Sequence, residues 1–190
     1  MKALILANSG NYHFFKGECI PTCFLPLHGG LTILQRIFSL LSVSGFSQDD
    51  ICICFGTGAA WDSNSVKKSM AAIQMKKIYS PTDTLNRRMF EDDFFNSEDL
   101  LVLSGSDVID LAIITRLLRY REKNVIVVKD MLSPDDTDKF ISASDETVRE
   151  IVDPENAAYP WIGYAGVCKL SKEFVAELNS RLIIPLSFLD

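Results

Sequence analysis

Two loops of the sequence carry glycine, hydroxyl and charged side chains directly after short apolar runs. The first loop follows residues 3–7 and carries Gly10 and Lys16. The second loop follows Leu103 and ends in Asp107. Both apolar runs are short and uninterrupted, which is typical of strands that are buried on both faces of a sheet. Because ligands of open α/β sheets bind at the carboxyl ends of the strands, these two loops are the candidate ligand site.

The residue types in these loops allow more than one role. Gly10 is either a turn glycine or a residue whose backbone N–H faces a phosphate. Asp107 is either a metal ligand or a turn residue ahead of the next helix. Asp110 is predicted to be the N-cap of that helix.

The remaining pattern alternates strands and helices and then changes to an antiparallel hairpin. A long loop is predicted over residues 8–30, and a helix capped by Thr32 extends to about Ser44, with Gly45 after it. The predicted strands are 3–7, 51–55, 75–79, 100–103, 125–128, 139–143, 147–152 and 162–170. A short helix is predicted to begin at Ser63 or Ser65, and further helices are predicted over about 82–94, 111–120 and 172–182. This pattern predicts a single domain over residues 1–190. Its fold class is α/β, a doubly wound, mixed but mostly parallel sheet with a small antiparallel insertion.

Composition narrows the function classes. The chain has 190 residues and a net charge of −6, which argues against nonspecific binding to nucleic acid. No apolar run approaches the ~20 residues of a membrane-spanning helix. Five cysteines without a leader segment indicate reduced thiols and a cytoplasmic location, and two histidines cannot form a His-rich metal site.

Seven segments, in order from Met1 to about Leu178, resemble the motifs of nucleotidyltransferases. They are LILA at 4–7, PTCFLPL at 21–27, GLTILQR at 30–36, YSPTDTL at 79–85, LVLSGSD at 101–107, VREIVDP at 148–154 and AGVCKLS at 165–171. The family's counterparts run L-I-L-A-A-G, P-K-x-L-L-P, G-K-x-L-L-E-R, Y-x-x-T-N, V-L-x-G-D, V-x-x-I-x-K-P and A-G-I-Y-x-F-S. The chain is therefore similar to the nucleoside-diphosphate-sugar pyrophosphorylases and the phosphocholine-type cytidylyltransferases.

The resemblance implies a reaction in which a substrate phosphate attacks the α-phosphorus of a nucleoside triphosphate and pyrophosphate leaves. It implies Mg²⁺ as cofactor, held by Asp107, and neutralisation of the triphosphate by Lys16. The implied nucleotide-binding residues are Ala7, Ser9, Gly10, Thr82, Thr84 and Gly105. Thr82 is equally well read as the cap of the helix that follows it. The implied partners are a nucleoside triphosphate and a small phosphorylated acceptor, and self-association into a homo-oligomer stays open.

Three positions depart from the family pattern. Thr22, Leu31 and Asp153 stand where the family has lysine. Since a neutral or acidic side chain cannot replace lysine as a point charge beside phosphate, two interpretations remain. The chain is either a divergent enzyme that draws its cations from elsewhere, or a catalytically inactive relative that binds a nucleotide or a sugar phosphate and regulates a partner.

Overall fold

The predicted alternation of strands and helices is present in the computed structural model, which describes residues 1–8, 11–80, 92–130, 140–144, 147–152 and 162–181. The strands are β1 Lys2–Ala7, β2 Tyr12–Phe15, β3 Glu18–Pro21, β4 Ile51–Phe55, β5 Lys76–Tyr79, β6 Leu100–Ser104, β7 Val125–Asp130, β8 Phe140–Ser144, β9 Thr147–Val152 and β10 Ile162–Leu170. The helices are α1 Ile33–Val43, α2 Asn64–Ala71, α3 Asp93–Asn96, α4 Leu111–Arg119 and α5 Lys172–Arg181.

The main sheet is mixed and mostly parallel at its centre. Its strand order is β5-β4-β1-β6-β10-β8-β9, and β7 also pairs with β10. The first four strands of this order are parallel, whereas β10 runs antiparallel to β6, to β7 and to β8. β8 and β9 form the predicted antiparallel insertion. The fold class predicted from the sequence is confirmed.

Helices cover both faces of the sheet. Successive residues of each buried strand point to opposite faces, and since both sets are apolar, both faces must be shielded from water. Ile5 of β1 packs in a core cluster with residues of α1, α2 and α4. Its neighbour Leu4 packs in a second cluster with Val175 of α5 and Phe95 of α3. The central strand is thus enclosed on both sides, and its carboxyl end is where the chain can meet a ligand.

The helix boundaries follow their capping residues. Thr32 forms a capping box with Gln35 at the start of α1, and Gly45 follows the helix with a φ of 96°. The Ser63 hydroxyl accepts the Val66 N–H and starts α2. Asp110 accepts the Ala112 N–H at 2.7 Å and starts α4, as predicted.

The predicted long loop over residues 8–30 is wrong. It contains the β-hairpin of β2 and β3, in which Phe15 pairs with Glu18 across a two-residue turn. Both turn residues, Lys16 and Gly17, have positive φ values, 49° and 85°. This geometry matches the twist of a hairpin, and the aromatic residues ahead of the x-Gly pair were its signal in the sequence.

The predicted helix over residues 82–94 is wrong at its carboxyl end. Asp92 is extended, with φ −80° and ψ 133°, and its side chain accepts the Phe94 N–H to start the separate helix α3. Residues 82–91 lie outside the described part of the chain. The prediction fails here because an aspartate in an extended conformation caps the helix that follows it.

Candidate functional site

The two loops singled out by the sequence meet at one edge of the sheet. β1 and β6 are parallel neighbours, with Leu6 in register with Ser104. The Gly105 N–H donates to the Leu6 carbonyl oxygen at 2.7 Å. The loops after Ala7 and after Leu103 therefore lie side by side, as predicted.

Gly105 and Ala7 are in close backbone contact. A Cβ atom at Gly105 would lie 2.9 Å from the Cα and the Cβ of Ala7 and 3.0 Å from the Leu6 oxygen. These distances are shorter than normal van der Waals contacts between non-bonded atoms, so only glycine fits beside β1 at this point. The approach brings the carboxyl ends of β1 and β6 together at one point, where Ala7 and Gly105 are both buried.

Asp107 lies across the same edge from β10. A Cβ atom at Gly166 would lie 2.6 Å from Asp107 Oδ2 and 3.1 Å from the Ser104 Cβ. The Asp107 side chain is exposed, and it forms no hydrogen bond or ion pair with another described residue. Since Asp110 caps α4, the Asp107 carboxylate is left available for a ligand.

Tyr164 of β10 lies close enough to Asp107 to interact with its charge, and Cys168 follows on the same strand. The register of β10 against β7 shifts between these two residues, and a hydrogen bond joins their side chains. Desolvation, the thiol and the nearby Asp107 charge raise the pKa of Tyr164, and burial raises the pKa of Cys168 to about 11. Both groups are therefore neutral near pH 7, so this side of the site offers hydrogen bonds and no thiolate.

Thr22 faces the first loop. Its hydroxyl donates to the Asn11 carbonyl oxygen at 2.9 Å, and its N–H donates to the same oxygen at 3.2 Å. Asn8, directly after β1, is 5% exposed. The neutral Thr22 side chain thus lies against the loop in which a cation would face a bound phosphate.

Lys16 lies at the tip of the β2–β3 hairpin. Its Nζ is 5.4 Å from the ring centroid of the adjacent Phe15. Next to the tip, Glu18 accepts a hydrogen bond from Ser65 of α2. No contact among the described residues joins Lys16 to Asp107 or Gly105, so the structure does not bring this lysine into the cluster of Ala7, Gly105 and Asp107.

Four predicted nucleotide-binding residues are not described. Ser9, Gly10, Thr82 and Thr84 lie outside the described residues, as does Asp153. Their roles stay predictions.

The donor set at the site fits Mg²⁺ with few protein ligands. The described part of the chain contains no group of three or more His, Cys, Asp or Glu side chains arranged to hold a metal. Mg²⁺ is commonly held by one or two carboxylates together with substrate phosphates. Asp107 fits that mode, because it is a single exposed carboxylate beside the backbone of Gly166.

Gly166 is the site residue that sequence reasoning missed. In the sequence it is one residue of the segment at 165–171, and the motif assigns it no role. Its φ of 78° is in the region that favours glycine. A glycine within a nine-residue strand was the signal, because such a position often marks a close approach.

No family model matches the chain, and no curated protein sequence matches it. Solved structures do match it. A Bacillus anthracis protein described as a glucose-1-phosphate thymidylyltransferase, in complex with sucrose, has a TM-score of 0.63 at 16% identity; the match covers 93% of this chain and 74% of that one. HddC from Yersinia pseudotuberculosis has a TM-score of 0.59 at 15% identity, covering 93% of this chain and 79% of its own.

These likenesses concern the fold, because identity is low. They extend over nearly the whole chain and match its mixed, mostly parallel sheet with helices on both faces. No helix within the described ranges is long and apolar enough to span a bilayer. The chain therefore has a nucleotidyltransferase-like fold.

Proposed function

We propose that the protein transfers a nucleoside monophosphate from a nucleoside triphosphate to a small phosphorylated acceptor and releases pyrophosphate. The single observation that carries the proposal is the position of Asp107. Its carboxylate, which pairs with no described residue, lies beside Gly166, at the edge where Gly105 contacts Ala7. The likeness to a thymidylyltransferase fold supports the same reaction class, and a sugar phosphate or a phosphocholine-like group is the proposed acceptor.

The residues divide into holding and positioning roles. Ala7 and Gly105 are proposed to form the buried floor of the nucleotide site, because neither residue places a large side chain over the strand ends. Asp107 would hold Mg²⁺, which when bound offsets the charge of the triphosphate. Gly166 keeps the space beside the carboxylate clear, and Ser9, Gly10, Thr82 and Thr84 are proposed to complete the nucleotide site. Lys16 is proposed as its cation, which requires the hairpin tip to approach the phosphates.

The direct test is a matrix of nucleoside triphosphates against sugar phosphates and phosphocholine, with Mg²⁺, followed by pyrophosphate release. Release with one triphosphate and one acceptor together, and with neither alone, is the expected result. Release from a triphosphate without any acceptor would indicate hydrolysis and contradict the proposal.

A second candidate is a binding or regulatory relative without turnover. The observation that favours it is Thr22, whose neutral side chain lies against the first loop with its hydroxyl bonded to Asn11. Leu31, at a second family lysine position, is 48% exposed and equally neutral. Catalysis of phosphoryl transfer depends on positioning and on cationic stabilisation, so the loss of such charges removes turnover before it removes the fold.

Thermal stability separates the two candidates. A ligand that binds only the folded state raises Tm by mass action. Nucleotide-dependent stabilisation with pyrophosphate release supports the enzyme, and stabilisation without release supports the binding relative. No stabilisation by any nucleotide or sugar phosphate would contradict both.

A further inference from the structure

A pocket of about 420 Å³ lies away from Asp107, at the carboxyl ends of β4 and β5. We call it the edge pocket and define it by Gly56, Gly58, Trp61, Lys67, Lys77 and Tyr79. It opens between α2 and the outermost parallel strand of the sheet. Tyr79 is the first residue of the motif segment at 79–85, but no other lining residue belongs to a motif, and the proposed reaction gives the pocket no role.

Trp61 brings a hydrogen-bond donor without an acceptor to this pocket. The side chain is 4% exposed, and its Nε1 atom has no hydrogen-bond partner among the described residues. The indole lies directly beneath Gly56, where a Cβ atom would be 2.3 Å from Nε1. A buried N–H without an acceptor destabilises the fold, so an oxygen atom supplied by a ligand would be favourable here.

The charge at the edge pocket is positive on balance. Lys67 pairs with Asp62 at 3.1 Å, and both side chains are exposed. Lys77 is half-buried and forms no ion pair or hydrogen bond with another described residue. An ammonium group that has no counterion among the described residues favours an anion.

An aromatic surface completes the edge pocket. Tyr79 is 55% exposed, and its ring centroid is 6.2 Å from that of Phe55. The flat face of such a ring suits a planar group on a ligand.

The edge pocket is separate from the site at Asp107. Its nearer strand, β4, is two strand intervals of ~4.8 Å from β6, which places the two strands about 10 Å apart across the sheet. Phe24, which follows the hairpin, packs edge-on against Trp61 with centroids 6.1 Å apart, and it stacks on Phe55 at 6.2 Å. This aromatic cluster forms a wall between the edge pocket and the first loop.

We propose that the edge pocket is a binding site for a small planar oxyanion, an aromatic or heteroaromatic ring that carries a carboxylate or a phosphate. The oxyanion pairs with Lys77 and supplies the acceptor for Trp61, while the ring lies on Tyr79. Gly56 and Gly58 flank Thr57, so the segment over the indole carries one side chain and can shift as the oxyanion enters.

The test uses Trp61 fluorescence in the full chain with Trp161→Phe, which removes the only other tryptophan. Four probes separate the two chemical features: inorganic phosphate, phenyl phosphate, acetate and benzoate. Phenyl phosphate and benzoate are expected to change the fluorescence saturably and to raise Tm of the unmodified chain, each more tightly than its counterpart without the ring. Comparison of phenyl phosphate with benzoate then identifies the favoured oxyanion.

Two variants locate the binding. Lys77→Gln is expected to weaken it about tenfold, the value of one charge-assisted contact. Lys68→Gln is the control for the loss of one positive charge, because Lys68 is exposed on α2 and does not line the edge pocket, and it is expected to leave binding unchanged. Trp61→Phe, followed by Tm, is expected to reduce the gain from both aromatic probes.

Two results would overturn the proposal. One is that none of the four probes at about 10 mM changes the fluorescence or Tm, which corresponds to a free energy of binding weaker than about −3 kcal/mol. The other is binding that Lys68→Gln weakens as much as Lys77→Gln does. Neither result bears on pyrophosphate release at Asp107, so this proposal and the proposed function fail independently.

Discussion

Gly166 and Asp107 occupy one small space between β10 and the loop after β6. A methyl group on Gly166 would come within 2.6 Å of Asp107 Oδ2, and the φ of Gly166 is 78°. Gly166→Ala is therefore expected to displace the Asp107 carboxylate and to strain the backbone by about 1–3 kcal/mol. Chemical denaturation measures the strain, and the Mg²⁺-dependent rise in Tm with nucleotide measures the displacement.

The matched control is Gly29→Ala. Gly29 also has a positive φ, 94°, but nothing lies within 4 Å of a Cβ atom there. It is expected to lower the free energy of unfolding by a similar amount and to leave the Mg²⁺-dependent response intact. Equal loss of that response in both variants would show that Gly166 acts through general stability alone.

Asp107→Asn tests the carboxylate without changing its shape. The substitution is expected to remove the Mg²⁺-dependent part of nucleotide stabilisation and to change the free energy of unfolding by less than about 0.5 kcal/mol, since the side chain is exposed. Asp110→Asn serves as the control, because asparagine caps a helix as well as aspartate does. A full Mg²⁺ response in Asp107→Asn would remove Asp107 from the metal site.

Gly105→Ala tests the close approach of β6 to β1. Its new methyl group would meet the Cα of Ala7 and the Leu6 oxygen, which are backbone atoms that cannot rotate away. Overpacking of this kind is expected to lower the free energy of unfolding by about 1–3 kcal/mol. Chemical denaturation would show this as a lower midpoint. Adding Ala7→Gly removes only one of the three contacts, so a partial recovery is expected, and full recovery would contradict this account.

The strand and helix pattern was predictable where local chemistry is decisive. Thr32, Ser63 and Asp110 cap helices through their own side chains, and the uninterrupted apolar runs form the buried strands. The β2–β3 hairpin was missed because it has few buried residues: Tyr12, His13 and Phe14 are all exposed. A pattern based on apolar burial gives no signal for such a strand.

The site was predictable in part. The adjacency of Ala7 and Gly105 follows from the carboxyl ends of parallel neighbouring strands. The position of Gly166 beside Asp107 depends on which strand pairs with β6, and here that strand is the distant, antiparallel β10. Spacing along the chain contains no information on such a pairing. The same limit applies to Lys16, whose position depends on how the hairpin docks against α2.

Acid is expected to destabilise the protein through Asp50. The Lys2 Nζ lies 2.8 Å from its Oδ1, and this contact, with the hydroxyl and N–H of Ser47, holds the pKa of Asp50 below its usual 3.8. A lowered folded-state pKa stabilises the fold above the unfolded-state value, and this stabilisation is lost as pH falls below it. Tm is therefore expected to fall below about pH 4, with a shallower fall in Asp50→Asn. Asp49→Asn removes a neighbouring carboxylate that forms no ion pair with a described residue, and it should keep the slope of the unmodified chain. An unaltered slope in Asp50→Asn would contradict the assignment.

Thr22→Lys tests whether the first loop holds phosphate. The Thr22 side chain already faces this loop, since its hydroxyl donates to the Asn11 oxygen. A lysine there restores the cation of the family motif, and a charge-assisted contact is worth ~1.5–3 kcal/mol. Affinity for a nucleoside triphosphate, measured by calorimetry, is expected to rise about tenfold or more, and the gain should shrink in high salt because the contact is at the surface.

The control for charge alone is Gln74→Lys. Gln74 is exposed just ahead of β5, at the amino edge of the sheet and so opposite the site. An equal gain in Gln74→Lys would mean that net charge raises the affinity and that the position of Thr22 does not. No gain in a normally folded Thr22→Lys would mean that no triphosphate lies beside this loop. The likeness to nucleotidyltransferases would then describe the fold, and the search for a ligand would move to the edge pocket at Trp61.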